Sequence, residues 1–331
     1  MSTLITGGTG FVGLNLAAEL LARGESVVLF GPAPLPAAFQ ALLADDAGRL
    51  SVVIGDVLSP ESLDRAITAN AVTRVVHGAA VTADLSREQT AARRIAEVNV
   101  LGTIEVLEAA LRHRVSRVVQ LGTGSIFGSG GLLSAELDER DSPVWPETLY
   151  GITKFAAERI ALRYRATRGL DVTVVRLGMV FGRWEYETGV RDTLSLPLLL
   201  TRMAEQSAQV SVHIDCADDW VYSLDVARGL AALLNRTDTP PEPVYHLSAG
   251  QRWSVEDWCA RLQSRFPGFR ATMVTDASQA TIGRGKVARR SPMRIERIGR
   301  DAGYSPRYLA QEAFEDWLDW RTKAREAGWQ F

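Results

Sequence analysis

Lysine is nearly missing from this 331-residue chain. Of its 37 basic residues only Lys154, Lys286 and Lys323 are lysine, and arginine supplies the rest. Cysteine is as scarce. Cys216 and Cys259 stand alone, at no paired spacing; they exclude a disulfide framework and read as buried thiols of a reducing compartment. The four histidines, His77, His113, His213 and His246, show no metal-ligand spacing, so no metal is expected. No apolar run approaches the roughly 20 residues that span a bilayer. The N-terminus enters an apolar strand directly, with no basic leader and no cleavage site. We therefore expect a soluble, cytoplasmic protein with no membrane partner. Net charge is also lacking: 37 basic against 39 acidic residues leaves −2, which gives no pull toward nucleic acid. The one basic run, Arg284 to Arg294, has no interleaved aromatics, so no nucleic-acid partner is expected.

What is present is a core-forming chain, 46% hydrophobic, with room for one large domain or a large domain and a smaller lobe. Thr3 to Thr6 is a short apolar strand that breaks at Gly7-Gly8-Thr9-Gly10-Phe11-Val12-Gly13, before a helical run from Leu14 to Arg23. Strand, glycine-rich turn and helix form the context that a dinucleotide pyrophosphate requires. Gly7 and Gly10 let the backbone turn and approach the phosphates. Gly13 lets the helix pack close, with its N-terminus toward the negative charge. Further strands are expected at Ser26 to Phe30, Leu50 to Ile54, Arg74 to His77, Arg117 to Leu121 and Asp171 to Val175. Helical patterns lie between them, at Pro60 to Ala69, near Ala91 to Arg114, and to about Thr167. This alternation predicts an α/β Rossmann-type, doubly wound parallel sheet. Small or polar residues (Gly7, Asp56, Ala79, Thr123) follow the strands, where such sheets bind ligands. We assign residues 1–176 to the dinucleotide-binding domain, with 220–250 returning to it through a strand at Val244 to Leu247. Residues 177–219 and 251–331 form a smaller, interleaved substrate lobe. Ser254 is expected to cap a helix reaching about Phe266, and Trp317 and Trp320, at helical spacing, to lie in the core.

With tyrosine and lysine so sparse, a chance Tyr-x-x-x-Lys is expected only about 0.06 times. Tyr150-Gly151-Ile152-Thr153-Lys154 provides one at the start of a helix, which puts phenol and ammonium on one face. A phenol with its usual pKa near 10 needs a shift of about 3 units, roughly 4 kcal/mol, to be half ionised at neutral pH. A neighbouring ammonium favours that shift.

These residues, in this order, resemble the extended short-chain dehydrogenase/reductases, the NAD-dependent epimerase/dehydratase family. The matching segments are TGGTGFVG from Thr6, GDV from Gly55, HGAA from His77, NVLGT from Asn99 and TGSIFG from Thr123. Tyr150-x-x-x-Lys154, RLGMVFG from Arg176, WVYSLDVA from Trp220 and the terminal AGYSPRYLAQEAFEDWLDW complete the match over nearly the whole chain. The resemblance implies that Thr123, Tyr150 and Lys154 are catalytic, with Thr123 hydrogen-bonding the reacting oxygen. It implies that Gly7, Gly10, Phe11, Val12, Gly13, Asp56, Val57, Ala79, Ala80, Asn99, Tyr150 and Lys154 contact the cofactor, Asp56 through the adenine amino group. It also implies a homodimer through the helices near Ala91 to Arg114 and Glu147 to Thr167; intramolecular burial of those helices is the alternative.

Two departures bear on ligand identity. After the second strand, Leu29-Phe30-Gly31-Pro32-Ala33 offers neither the acid that usually holds an NAD ribose nor an Arg for a 2′-phosphate. With no positive charge there, NAD is expected, and NADP stays open. Relatives acting on nucleotide sugars commonly carry an Arg before an Asp-aromatic pair, but here Asp218 precedes Asp219-Trp220, and a carboxylate would repel a diphosphate. Arg284, Arg289, Arg290 and Arg294 are available to compensate. In the loop from Arg183 to Ser195, Arg183 and Arg191 are candidates, with Thr123, for binding a small carboxylate substrate; pairing with Glu185, Glu187 or Asp192 is the alternative. We expect an NAD(P)-dependent oxidoreductase moving a hydride between the nicotinamide and a secondary alcohol of a sugar-like or sugar-acid substrate. The alternative is a nucleotide-sugar 4-epimerase or dehydratase. A cofactor-bound scaffold without turnover is a third class, disfavoured by the intact Thr123, Tyr150 and Lys154.

Overall fold

A computed structural model describes residues 1–42, 44–282 and 290–329. Arg284, Lys286 and Arg289 of the basic run lie outside the described residues. In chain order the strands are β1 (Ser2–Thr6), β2 (Ser26–Gly31), β3 (Leu50–Ile54), β4 (Arg74–His77), β5 (Arg117–Thr123) and β6 (Val172–Leu177). Five more follow: β7 (Met179–Phe181), β8 (Gln209–His213), β9 (Trp220–Tyr222), β10 (Val244–Leu247) and β11 (Arg270–Val274). The helices are α1 (Phe11–Ala22), α2 (Ala37–Leu42), α3 (Pro60–Ala69), α4 (Leu85–Ala96), α5 (Gly102–Arg112) and α6 (Leu149–Arg168). They continue with α7 (Leu196–Glu205), α8 (Ser223–Leu234), α9 (Val255–Arg265), α10 (Glu296–Ala302) and α11 (Ala310–Glu326).

Seven strands form one sheet in the order β10-β6-β5-β4-β1-β2-β3, and every pairing is parallel. Apolar residues run through the central strands because both faces are covered. Ile5, Val27, Leu29, Val76, Val119 and Val175 point into one core, with α1, α7, α8, α9 and α11. Their neighbours Leu4, Val28, Phe30, Val75, Val118 and Val174 point into the other, with α3 and α5. The period of two that defines a strand thus divides its residues between the two layers. Chain order reverses between β1 and β4, and the crevice that opens at such a reversal is where open α/β sheets bind ligands.

Two short parallel pairs, β7–β9 and β8–β11, stand beyond the main sheet. Phe181 is met edge-on by Trp220, Tyr222, Trp253 and Trp258, with ring centroids 5.3 to 6.4 Å apart. Ser254 caps α9 by accepting from the Asp257 amide at 3.1 Å. Trp317 and Trp320 are buried and stacked at 5.5 Å, within the core as expected. The run expected as one helix near Ala91 to Arg114 is instead interrupted by a π-helical turn, Glu97–Leu101, between α4 and α5. No helix among the described residues is long and apolar enough to cross a membrane.

Candidate active site

The turn between β1 and α1 is shaped by absent side chains. Gly7 has φ +66°, and a Cβ there would lie 2.9 Å from the Ala79 nitrogen, so the ends of β1 and β4 touch through it. A Cβ on Gly13 would lie 2.6 Å from the carbonyl oxygens of Gly7 and Gly8. Gly10 caps α1 with no side-chain hydrogen bond, and the first turn of α1 carries no acid. The helix therefore presents unoccupied N–H groups and the positive end of its dipole to the crevice, a ready anion site. Phe11 is buried and Val12 half-buried behind this turn, and Ala79 and Ala80 line its far side at the end of β4.

Thr123 ends β5, where its hydroxyl accepts from the Ser125 amide at 3.1 Å. Thr148 caps α6 by accepting from the Gly151 amide at 3.0 Å, which fixes the first turn that carries Tyr150. Gly151 permits the approach of these two elements, since a Cβ there would be 2.9 Å from the Ser125 carbonyl oxygen. Burial pushes the Tyr150 phenol above its ordinary pKa; the neighbouring Thr123 and Thr82 hydroxyls and the charges of Arg191 and Arg290 pull it down. Lys154 is buried one turn on, and burial lowers its ammonium to about 8 against the raising effect of Glu158. Glu158 is itself clamped by Arg176, at 2.9 and 2.6 Å.

Asn99 lies in the π-helical turn with its amide fully engaged. Its Oδ1 accepts from the Val81 amide at 2.8 Å, and its Nδ2 donates to the Val81 carbonyl at 3.1 Å and to the Thr153 hydroxyl at 3.0 Å. A π-turn at such a position is a frequent mark of a functional site. His77, expected to position the loop after β4, is buried and its pKa is lowered to about 3, chiefly by desolvation. Thr103 donates to the Asn99 carbonyl at 2.8 Å and so accepts from Nε2 of His77, while Nδ1 accepts from Thr6 at 2.6 Å. Asp56 follows β3. Burial would raise its pKa, but the Leu58 amide and Arg94 outweigh that and lower it. Its carboxylate stays 44% exposed toward solvent, so an acceptor remains available there. Val57 packs against Gly102.

The two loop arginines part company. Arg183 is not brought to the Tyr150 site: its guanidinium grips both carboxylate oxygens of Asp316 on α11, which also accepts from the Tyr222 hydroxyl. Its carbonyl accepts from Asn15 of α1 at 2.7 Å. Arg191 does reach the site. It lies 4.8 Å above the Phe11 ring and pairs with the buried Glu185 at 2.9 Å. The surrounding loop is fastened over the crevice by Tyr186, which donates to the Thr9 carbonyl at 2.8 Å, and by the Val190 carbonyl, which accepts from Thr82 at 2.8 Å. Two participants escaped sequence reasoning, Thr82 and the placement of Arg290. The only cue to Thr82 was its position just beyond the small residues that end β4. Among the described residues, no group of three or more His, Cys, Asp or Glu side chains could hold a metal ion.

Known proteins share this fold. A dTDP-glucose 4,6-dehydratase of Streptomyces antibioticus is 28% identical over 342 residues, covering 100% of this chain and 95% of that protein. The structure of a UDP-glucose 4-epimerase from Thermotoga maritima with UDP-glucose superposes with a TM-score of 0.81 at 19% identity, covering 98% of this chain and 100% of that one. MoeE5 in complex with UDP-glucuronic acid and NAD superposes with a TM-score of 0.78 at 26% identity, again over 98% and 100%. The family model described as the NAD dependent epimerase/dehydratase family matches residues 3–248, and the chain belongs to that family.

Proposed function

We propose that this protein is an NAD-dependent oxidoreductase that interconverts a secondary alcohol and a ketone on a sugar-like or sugar-acid substrate. The carrying observation is the convergence of Thr123, Tyr150 and buried Lys154 beside the glycine cradle of Gly7 and Gly13. The cradle suits a dinucleotide pyrophosphate, because Cβ atoms would fill the space at Gly7 and Gly13 and α1 begins without a competing acid. The end of β2 brings no Arg or Lys to pair a 2′-phosphate, which favours NAD over NADP. Ala79, Ala80, Asp56 and Val57 border the same crevice and are assigned to it. Bound NAD supplies the hydride acceptor or donor. Tyr150 takes the hydroxyl proton of the substrate, helped by the Thr123 and Thr82 hydroxyls that favour its ionised form. Lys154 supplies positive charge on the same helix face, and Asn99 holds the Val81–Thr82 backbone in place.

A second reading is a nucleotide-sugar 4-epimerase or dehydratase, favoured by the full-length likeness to a dTDP-glucose 4,6-dehydratase. Elimination of water beside a ketone needs an acid and a base besides the tyrosine. The residues after Thr123 (Gly124, Ser125, Ile126, Phe127) bring no carboxylate there. An epimerase needs none, so the two readings are separated by whether reduced cofactor accumulates. We expect stoichiometric absorbance at 340 nm with free sugars, aldonates or uronates and NAD. Turnover confined to UDP- or dTDP-sugars without net reduction would establish the second reading instead. We also propose that the protein is a homodimer through the helical stretch of α4, the π-turn and α5 together with α6, where Leu101 of the π-turn and Ile152 of α6 are 50% and 47% exposed. Light scattering that returns a monomer would remove that part.

A further inference from the structure

Arg290 is held in a slot that two glycines leave open. A Cβ on Gly124 would lie 2.5 Å from its Nη1, and one on Gly131 would lie 2.8 Å from its Cγ. The segment from Arg290 to Met293 is zippered to the loop after β5: Ser291 donates to the Gly131 carbonyl at 2.9 Å, and Leu137 to the Pro292 carbonyl at 2.8 Å. The Met293 amide donates to Asp219 at 2.9 Å. The residue is 92% buried, its Nη1 is shut from solvent without a hydrogen-bond partner, and no carboxylate pairs with it among the described residues. Arg191 is bridged to Thr82, whose hydroxyl acts on the Tyr150 phenol as that of Thr123, the residue before Gly124, does. Nη2 of Arg191 is taken by Glu185, while its Nη1 is likewise buried and unpartnered. Both charges act on the Tyr150 phenol. A buried guanidinium N–H without an acceptor is costly, and an anionic ligand removes that cost.

We propose that Nη1 of Arg290 and Nη1 of Arg191 receive a carboxylate of the substrate, so that the alcohol at Tyr150 belongs to a hydroxy acid. This rests on the oxidoreductase reading above and names its substrate class. A carboxylate has two coplanar acceptors, which suit one N–H from each of two guanidinium groups. Glu185 already balances Arg191, so the pair leaves one net positive charge, enough for a monoanion and too little for a diphosphate. Asp219 is held against the same segment through Met293, Asp218 accepts from the Asp219 amide beside it, and their carboxylates add to the mismatch with a diphosphate.

The test uses the full chain saturated with NAD and isothermal titration calorimetry with glycolate, tartronate, D-gluconate and D-glucuronate, beside D-glucose as the neutral probe. At least one acid is expected to bind 10-fold or more tighter than D-glucose. Arg290→Gln and Arg191→Gln should each weaken that acid 10- to 100-fold while changing D-glucose less than 3-fold. Gly124→Ala, whose Cβ displaces Nη1, should produce the same selective loss with an unchanged melting temperature. Binding of none of the acids, or equal weakening of acid and neutral probe, overturns the proposal. Absorbance at 340 nm is read on the same samples. Acid binding that depends on Arg290 without cofactor reduction keeps the clamp and removes the oxidoreductase reading. Reduction on neutral sugars, unaffected by Arg290→Gln, removes the clamp and keeps that reading.

Discussion

Asn99 holds Val81 by both of its backbone groups, as a neighbouring strand would, with the amide accepting at 2.8 Å and donating at 3.1 Å. The same Nδ2 reaches Thr153, one residue before Lys154, so a single side chain ties the exit of β4 to the helix carrying Tyr150. Asn99→Ala leaves the Val81 groups buried and unpaired, a loss of about 1–3 kcal/mol per group. We expect lower stability in urea unfolding and a fall in kcat with little change in KM, because Thr82 shifts relative to Tyr150. Unchanged kcat in the folded variant would assign Asn99 to stability alone.

Tyr150→Phe removes the hydroxyl proposed as proton acceptor and keeps the ring. Turnover should fall by about 10³-fold or more, while NAD affinity, read by fluorescence titration, changes less than about 3-fold. Thr123→Ser should retain more activity than Thr123→Ala. Equal losses would take the Thr123 hydroxyl out of the chemistry.

Lys154 gives a pH dependence of defined sign. Its folded pKa of about 8 lies below the ordinary 10.5, so the folded protein without cofactor binds fewer protons than the unfolded chain between these values. The charge is fully destabilising below about pH 8, by roughly 3 kcal/mol at 1.36 kcal/mol per unit, and the penalty fades as pH rises toward 10.5. Lys154→Met should therefore be inactive yet melt higher than the native protein at pH 7, with the gap closing above pH 10. A variant that melts lower at both pH values would contradict this account.

Asp219 behaves in the opposite sense. Burial raises its carboxyl to about 6, against the hydrogen bonds from Met293, Ser248 and Ala249 that lower it. The folded protein then binds the extra proton, and stability falls as pH rises from about 4 through 6. Asp219→Asn should lack that fall and gain on the native protein over this interval, by about 3 kcal/mol at most. The amide has only one acceptor for the Ala249 and Met293 N–H groups, so the segment bearing Arg290 loosens. KM for acidic substrates should rise more than kcat falls. Parallel stability curves for the two proteins from pH 4 to 6 would refute the assignment.

Much of the fold could be read along the chain. The main-sheet strands fall within two residues of where the β-rich runs place them, because all but the edge strand β3 are largely buried and an extended run between two helical layers has one conformation that buries it. The glycine turn, with Gly7 at φ +66° and Gly13 against two carbonyls, was legible for a similar reason: no other residue fits. The helical pattern near Ala91 to Arg114 runs through Glu97–Leu101 without a break, since nothing in local periodicity announces a π-turn; the pull of Val81 and Thr153 on Asn99 comes from 18 and 54 residues away.

The sequence by itself determined the sheet, the glycine turn after β1 and the helix that carries Tyr150 and Lys154, all of which depend on residues a few positions apart in elements of fixed geometry. Only the tertiary structure decided the fate of the arginines. A guanidinium on a long stem has its partner chosen by which acid folding brings within reach, and that choice has no local pattern. Asp316, 133 residues away, takes Arg183, whereas Gly124 and Gly131 open a slot for Arg290 beside Tyr150, where no acid meets it among the described residues.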